Sequence, residues 1–281
     1  MWHVCPPLTQ NHRVERHNLK KQYKMKYISL SSSSSGNCYL IEDGDTRFLI
    51  DAGLSVKRIK ALLAEIGVEL TSIKGVVLTH SHRDHTKGVP TLVYRYNLPL
   101  YCTKSTLQDL EKNTGREVDR ALWREVESHK EFEIDNFSLL PMPVTHDTRD
   151  CHAYRVKLGD KVLTLATDLG KATSELMEAV KITDHLIIES NYSETLLQIS
   201  SYTAFLRGRI DSDNGHLSNV QTGEIVDFAC KKGRVKHIHL AHISANSNTP
   251  ETALNYSKKF VTDGVEIDAL PRKEISEMWE I

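Results

Sequence analysis

The chain has 281 residues, 40% of them hydrophobic, enough to bury a sizeable core as one domain or two small ones. With 36 lysines and arginines against 37 aspartates and glutamates, the net charge of -1 gives no global basic field, although a locally positive groove remains compatible with it. No stretch approaches about 18 consecutive apolar residues, so no membrane span is expected.

Residues 1–24 carry His3, His12, Arg13, Arg16, His17, Lys20, Lys21 and Lys24 without an apolar core, so a secretory signal is not expected. Residues 1–25 read as a disordered basic extension, or as a nucleic-acid-binding arm, with Met25 as an alternative start. A single domain is expected over 26–281. Residues 26–30 alternate as a strand, the serine-rich run 31–36 reads as flexible, and 37–42 with 46–50 read as a hairpin around Asp43-Gly44-Asp45. Asp51-Ala52-Gly53 puts a carboxylate at the end of that hairpin. Ser55 suits an N-cap, and Val56, Ile59, Leu62, Leu63 and Ile66 recur at helical spacing until Gly67. Residues 74–78 are a short apolar run that empties into Thr79-His80-Ser81-His82-Arg83-Asp84-His85-Thr86.

Helices are expected over 89–96, 104–112 and 173–180, strands over 98–102, 137–140, 152–158, 161–167 and 185–189, and two short helical pieces over 194–210. Residues 113–135 carry too little periodicity to assign. Ser218 reads as the N-cap of a helix ending at Gly233, and 236–241 as a strand. Thr249-Pro250-Glu251 opens a helix with proline in its first position, and 265–270 is the last strand. Two halves of similar make-up predict two packed sheets with helices outside, an α+β or α/β domain. Cys5, Cys38, Cys102, Cys151 and Cys230 are scattered, with no C-x-x-C pair, and read as reduced thiols of a cytoplasmic protein.

The chemistry gathers at His80, His82, Asp84 and His85. Neutral imidazole suits first-row divalent metals, and a carboxylate adds a hard anionic oxygen. On a loop, alternate residues point the same way, so His80 and His82 would share one ion while Asp84 and His85 turn toward a second. The competing reading is a solvated polar loop. Against it, His146, Asp168 and His242 also stand where predicted strands end, the usual place for site residues on a rigid scaffold. His152, His185, His237 and His239 read instead as satisfied polar groups.

Asp51, the T-H-S-H-R-D-H run, His146, Asp168 and His242, in that order, resemble the metallo-β-lactamase superfamily over residues 26–281. The Ser31 to Asn37 run, Asp51-Ala52-Gly53-Leu54-Ser55, Glu189-Ser190-Asn191-Tyr192, Gly215-His216-Leu217-Ser218-Asn219, and His242-Ile243-Ser244 leading to Asn246, Asn248 and Thr249-Pro250-Glu251 are similar to the YycJ/WalJ (VicX-like) group of single-domain metal-dependent hydrolases. The resemblance implies a four-layer αββα sandwich with a dinuclear site on one edge and exonuclease activity on DNA. By position, His80, His82 and His146 would hold one divalent ion, Asp84, His85 and His242 the other, and Asp168 would bridge them. Two cations about 4 Å apart repel, and a shared carboxylate with a bridging hydroxide screens the repulsion. Asp51 would orient a ligand histidine. Zn²⁺ or Mn²⁺ fits this set, and Fe²⁺ is compatible with it.

The implied chemistry is phosphodiester hydrolysis by the bridging hydroxide, with Asp84 and Asp168 as the catalytic carboxylates and His216 as proton donor to the leaving alkoxide. His216 reads equally well as a helix-entry residue beside the Ser218 cap. Ser33, Ser34, Asn37 and Asn191 are candidate substrate contacts, and Arg207 and Arg209 a candidate charged clamp. His82 stands where redox diiron relatives carry glutamate, which argues against oxygen or nitric oxide reduction. Asp168 fits the phosphodiesterase branches better than β-lactamases or thioesterases. Residues 169–241 show no insertion like the appended domain of larger RNA-processing relatives, which weakens an RNase reading. Hydrolysis of small, cyclic-nucleotide-like phosphodiesters and non-catalytic metal binding remain the alternatives.

Overall fold

Strands β1 (Lys26–Ser33), β2 (Gly36–Asp43) and β3 (Thr46–Ile50) form an antiparallel meander, and β4 (Val76–Val77), β5 (Leu100–Cys102) and β6 (Trp123–Glu125) continue it in parallel. These are elements of a computed structural model that describes residues 23–281, so the extension expected over 1–25 lies almost wholly outside the described residues. Packing is already established at Met25, which is fully buried and accepts a backbone hydrogen bond from Ile281.

The second half repeats the plan. Strands β7 (Phe132–Ile134), β8 (Phe137–Pro143), β9 (His152–Leu158) and β10 (Lys161–Ala166) run antiparallel. Then β11 (His185–Glu189), β12 (His237–Ala241) and β13 (Glu266–Ala269) follow in parallel. Strand β14 (Trp279–Glu280) returns to pair with β1. The two seven-stranded sheets have the orders β14-β1-β2-β3-β4-β5-β6 and β13-β12-β11-β10-β9-β8-β7.

Helices α1 (Val56–Glu65), α2 (Arg83–Thr86), α3 (Val89–Tyr96) and α4 (Lys104–Thr114) belong to the first half. The second half holds α5 (Ser174–Lys181), α6 (Glu194–Ile199), α7 (Ala204–Ile210), α8 (Asn219–Lys232) and α9 (Pro250–Ser257). Period-two alternation sorts the strands into layers. Ile28, Leu40 and Leu49 back onto α1, α3 and α4, while Tyr27, Ile41 and Phe48 face Phe137, Val156 and Leu165 of the second sheet. Leu186, Ile188 and Leu240 back onto α5, α8 and α9. The layers are therefore helix, sheet, sheet, helix: the expected αββα sandwich. No helix among the described residues is long and apolar enough to cross a membrane.

Three local expectations need correction. The serine run is not a flexible loop, because Ser31, Ser32 and Ser33 are buried residues of β1 beyond a bulge between Ser29 and Ser31. Their burial is tolerable because the hydroxyls are bonded: Ser31 Oγ donates to Gly36 O (2.8 Å), and Ser32 Oγ accepts from His242 N (2.9 Å). Residues 113–135 supply β6 and β7, each only three residues long and too short to show a period. Strand β8 runs through Pro141 and Pro143 because β7 pairs only as far as Leu139, so the prolines lie on an edge where no ladder bond is lost.

Candidate metal centre

The parallel strands deliver their carboxyl ends to one edge of the sandwich, where open α/β sheets place ligands. Asp51 follows β3, His80 lies just beyond β4, Asp168 just beyond β10, Glu189 ends β11 and His242 follows β12. Asp51 and Asp168 hold equivalent places in the two halves, and both have φ near 59°, while His242 has φ 50°. A side chain in the left-handed region is uncommon, though Asp and His tolerate it better than most. Such strain persists where the surroundings enforce it, and here it marks the strand ends that converge on one pocket.

The histidine motif is only partly a loop. His82 caps α2, so Asp84 and His85 sit in a helical turn, and the alternating-loop geometry applies to His80 and His82 alone. Glycine is required at 53 because a Cβ there would lie 1.6 Å from Asp84 O, where the turn after β3 runs against α2.

Two of the donor groups at this pocket follow the expected split, and a third joins Glu189 and His216 to Asp168 and His242. His80, His82 and His146 form the first, and Asp84, His85, Asp168 and His242 the second, with the ligand atoms of each within 4.8 Å of one another. Asp168 faces both: its Oδ2 lies 3.1 Å from His85 Nε2 and its Oδ1 3.8 Å from His146 Nε2. The far side of each imidazole sets its tautomer. His85 Nδ1 donates to Asp51 Oδ2 (2.7 Å), His146 Nδ1 to Gly215 O (3.0 Å) and His242 Nδ1 to Glu189 Oε1 (2.7 Å). His80 Nδ1 donates to Thr79 Oγ1 (3.0 Å), which in turn donates to Asp51 Oδ2 (2.8 Å). Each of these four histidines, when neutral, therefore turns its unprotonated Nε2 inward. His82 directs Nε2 at Asp147 Oδ1 (3.4 Å), leaving Nδ1 for the pocket.

The donors fit divalent ions. His80 Nε2, His242 Nε2 and Asp168 Oδ2 are buried yet have no hydrogen-bond partner, each at a cost of about 1–3 kcal/mol if left unsatisfied. A cation between them removes that cost. Charge points the same way. Burial opposes a proton on His242, but Asp168, Asp84 and Glu189 outweigh it and push its pKa up to about 10. Burial likewise opposes ionisation of Asp168, yet His242 and His85 hold it well below the carboxylate range. Protons thus stand in for the positive charge that the carboxylates require.

A consequence is measurable. His242, with its pKa near 10, carries a proton at neutral pH and would have to lose it to ligate an ion. Metal loading should therefore release protons, and affinity should rise with pH up to about 10 and weaken below it. Calorimetry in buffers of different ionisation enthalpy counts those protons; loading without release contradicts the assignment of His242.

A model of the beta-lactamase superfamily domain matches residues 46–243. The chain is 35% identical over 230 residues to exodeoxyribonuclease WalJ of Streptococcus pneumoniae, covering 81% of this chain and 85% of that one. It is 30% identical over 233 residues to exodeoxyribonuclease YycJ of Bacillus anthracis, covering 82% and 86%. The chain belongs to the metallo-β-lactamase superfamily. Within the superfamily it groups with the WalJ and YycJ proteins. A metallo-β-lactamase fold protein, YhfI of Bacillus subtilis, has the same fold, with a TM-score of 0.71 over 92% of this chain and all of its own at 16% identity.

In this superfamily member the pocket beside these donors is an open cavity of about 330 Å³. Ser34, Asn191, Arg209 and His216 line it, together with His82, His146, Asp168 and His242. Ser33 and Asn37 do not. Asn37 is fully buried, donating to Ser33 O (2.9 Å) with its amide nitrogen 3.0 Å from His85 Nε2. The Asn191 amide donates to His242 O (2.9 Å), holding the turn that presents that histidine. Arg207 donates to Tyr202 O and is not among the residues lining the cavity, whereas Arg209 reaches it and pairs with Asp147.

Sequence reasoning missed two anchoring residues. Glu189 stood inside a quoted motif without a role, and the fold buries it with four donors around its carboxylate. Oε1 accepts from His216 Nδ1 (2.8 Å) and His242 Nδ1, and Oε2 from Leu169 N (3.1 Å) and Leu217 N (3.2 Å). Burial raises its pKa, but His216 and His242 outweigh that and bring it to about 2. Thr79 opens the histidine motif and joins Asp51 to His80, a role that only its buried partners reveal.

Proposed function

We propose that this chain is a metal-dependent deoxyribonuclease that removes nucleotides from DNA ends, using two divalent ions, Zn²⁺ or Mn²⁺. The observation that carries the proposal is the convergence of seven donors in two groups around Asp168, in a chain 35% identical over most of its length to an exodeoxyribonuclease. His80, His82 and His146 would hold one ion, Asp84, His85 and His242 the other, with Asp168 between. When bound, such ions supply Lewis acidity that lowers the pKa of water and neutralises phosphoryl charge.

The chain's own residues do the rest. Asp51, Thr79, Gly215 and Glu189 hold the ligand imidazoles in the tautomer that coordination requires. Arg209 brings a guanidinium to the cavity mouth, suited to a backbone phosphate. His216 lines the cavity with Nδ1 fixed on Glu189, leaving Nε2 free to pass a proton to a leaving alkoxide. Burial lowers the pKa of His216, but the Glu189 carboxylate beside it prevails and raises it, favouring the protonated state a donor needs.

His216→Ala should slow turnover by about 10²- to 10⁴-fold while metal content stays at the wild-type level. An unchanged rate leaves the residue as a helix-entry group only. The activity itself is tested with Mn²⁺- or Zn²⁺-loaded protein on 5′-labelled single- and double-stranded DNA, RNA and bis-p-nitrophenyl phosphate. Progressive shortening of DNA is expected. Cleavage of the small ester alone would remove the nuclease reading, preferential cleavage of RNA would replace DNA as substrate, and no hydrolysis with either metal would remove the enzyme.

A further inference from the structure

About 10 Å from the catalytic pocket along β12, the inter-sheet layer changes from apolar to polar. His237 and His239 alternate on β12 and so share the face that looks toward the first sheet, and Asp268 of β13 pairs directly with His239 in the ladder. Asp268 Oδ2 lies 2.7 Å from His237 Nε2, and Oδ1 lies 2.8 Å from His239 Nδ1. These ligand atoms lie within 4.8 Å of one another, a two-histidine, one-carboxylate group that the catalytic chemistry does not use.

We propose that His237, His239 and Asp268 form a separate structural metal site that takes Zn²⁺. The outward nitrogens carry the argument. A metal-bound histidine keeps its proton on the nitrogen facing away, and that proton needs an acceptor. His237 Nδ1 faces Glu266 Oε2 at 3.3 Å, and His239 Nε2 faces the Tyr27 hydroxyl at 2.6 Å. Tyr27 in turn reaches His185 Nδ1 at 2.6 Å, so with metal bound its hydroxyl would accept from His239 and donate to His185. Both histidines therefore have partners waiting on the side away from the ion. As the three donors stand, His239 Nδ1 donates to Asp268, Tyr27 donates to His239 Nε2, and His185 Nδ1 donates to Tyr27. Metal binding reverses that chain of donors without breaking it, and no net proton is created or lost.

Access and geometry also allow an ion. The Asp268 side chain is 38% exposed while His239 is fully buried, so a water can complete a tetrahedral shell from the open side. Metal bonds of about 2.1 Å place tetrahedral ligands about 3.4 Å apart. The carboxylate need withdraw by only some tenths of an ångström from its present contacts. Electrostatics agrees: burial holds His239 in the neutral form below its ordinary range, and although burial opposes it, His237 and His239 bring Asp268 down to about 2. A neutral His239 beside an ionised carboxylate suits a metal. The ion would fasten edge strand β13 to β12, and through Tyr27 would link the two sheets.

The test uses the full chain loaded with excess Zn²⁺, desalted, and measured for metal per chain by mass spectrometry. Wild type should carry one equivalent more than His237→Gln and than Asp268→Asn, both of which should keep wild-type DNA hydrolysis. Asp268→Asn changes a partly exposed edge residue, so a fold failure of His237→Gln leaves a usable arm. The same comparison in an Asp168→Ala background separates this site from the catalytic one. There Zn²⁺ should still raise the melting temperature, and adding Asp268→Asn should abolish the rise. Equal metal content in wild type and both variants, or a rise that survives Asp268→Asn, overturns the proposal.

Discussion

Asp168→Ala is expected to lower DNA hydrolysis by at least about 10³-fold, equivalent to about 4 kcal/mol of lost transition-state stabilisation. Asp168 is the carboxylate that faces both donor groups, and without it neither shares a charge with the other. Two cations would then be held close together by imidazoles and Asp84 alone, so metal content should fall with activity. Alanine also loses the tolerance for φ near 59° that aspartate brings, at a cost of about 1–2 kcal/mol. Asp168→Asn separates the effects, because it keeps the side-chain size and the left-handed backbone while removing the charge. Both variants should retain the far-ultraviolet circular dichroism of the wild type. Turnover at the wild-type rate with two metals still bound would end the bridging assignment.

Glu189→Gln should weaken metal binding by about 10- to 100-fold and activity in step with it, although residue 189 is not itself placed among the ligands. The reason is a count of acceptors. The carboxylate accepts from two histidines on Oε1 and two backbone N–H groups on Oε2. Glutamine offers one carbonyl oxygen and an NH₂, so one pair of donors must face a donor. If the oxygen keeps the backbone pair, His242 has to move its proton to Nε2, the atom turned toward the pocket, and can no longer ligate. If it keeps the histidines, two buried N–H groups lose their partner at about 1–3 kcal/mol each. The first outcome appears as weakened metal binding, the second as lowered resistance to urea. A variant that matches wild type in both would show that Glu189 does not position His242.

Much of the site was legible in the sequence for local reasons. His80, His82, Asp84 and His85 crowd into six positions directly after an apolar strand, a density of ligands visible without any fold. His146, Asp168 and His242 were legible as strand ends, and their grouping with the motif came from the resemblance. The helix starts at Ser55, Ser218 and Thr249 were readable because capping is a contact between neighbours: each hydroxyl accepts from an amide three residues on. Substrate contacts were read less well. Ser33 and Asn37 look like polar loop residues in sequence, and only packing shows that they are buried.

By itself, then, the amino-acid sequence determined the alternation that sorts side chains into four layers, the helix caps and the cluster of donor residues His80, His82, Asp84 and His85, all of which depend on neighbours a few residues apart. Tertiary structure alone decided the left-handed turns at Asp51, Asp168 and His242, the four donors on Glu189, and the meeting of Asp268 with His237 and His239. Those features depend on partners brought together by sheet packing, as with Ser32 and the backbone of His242, 210 residues apart. A hydrogen bond across that separation leaves no period in the chain.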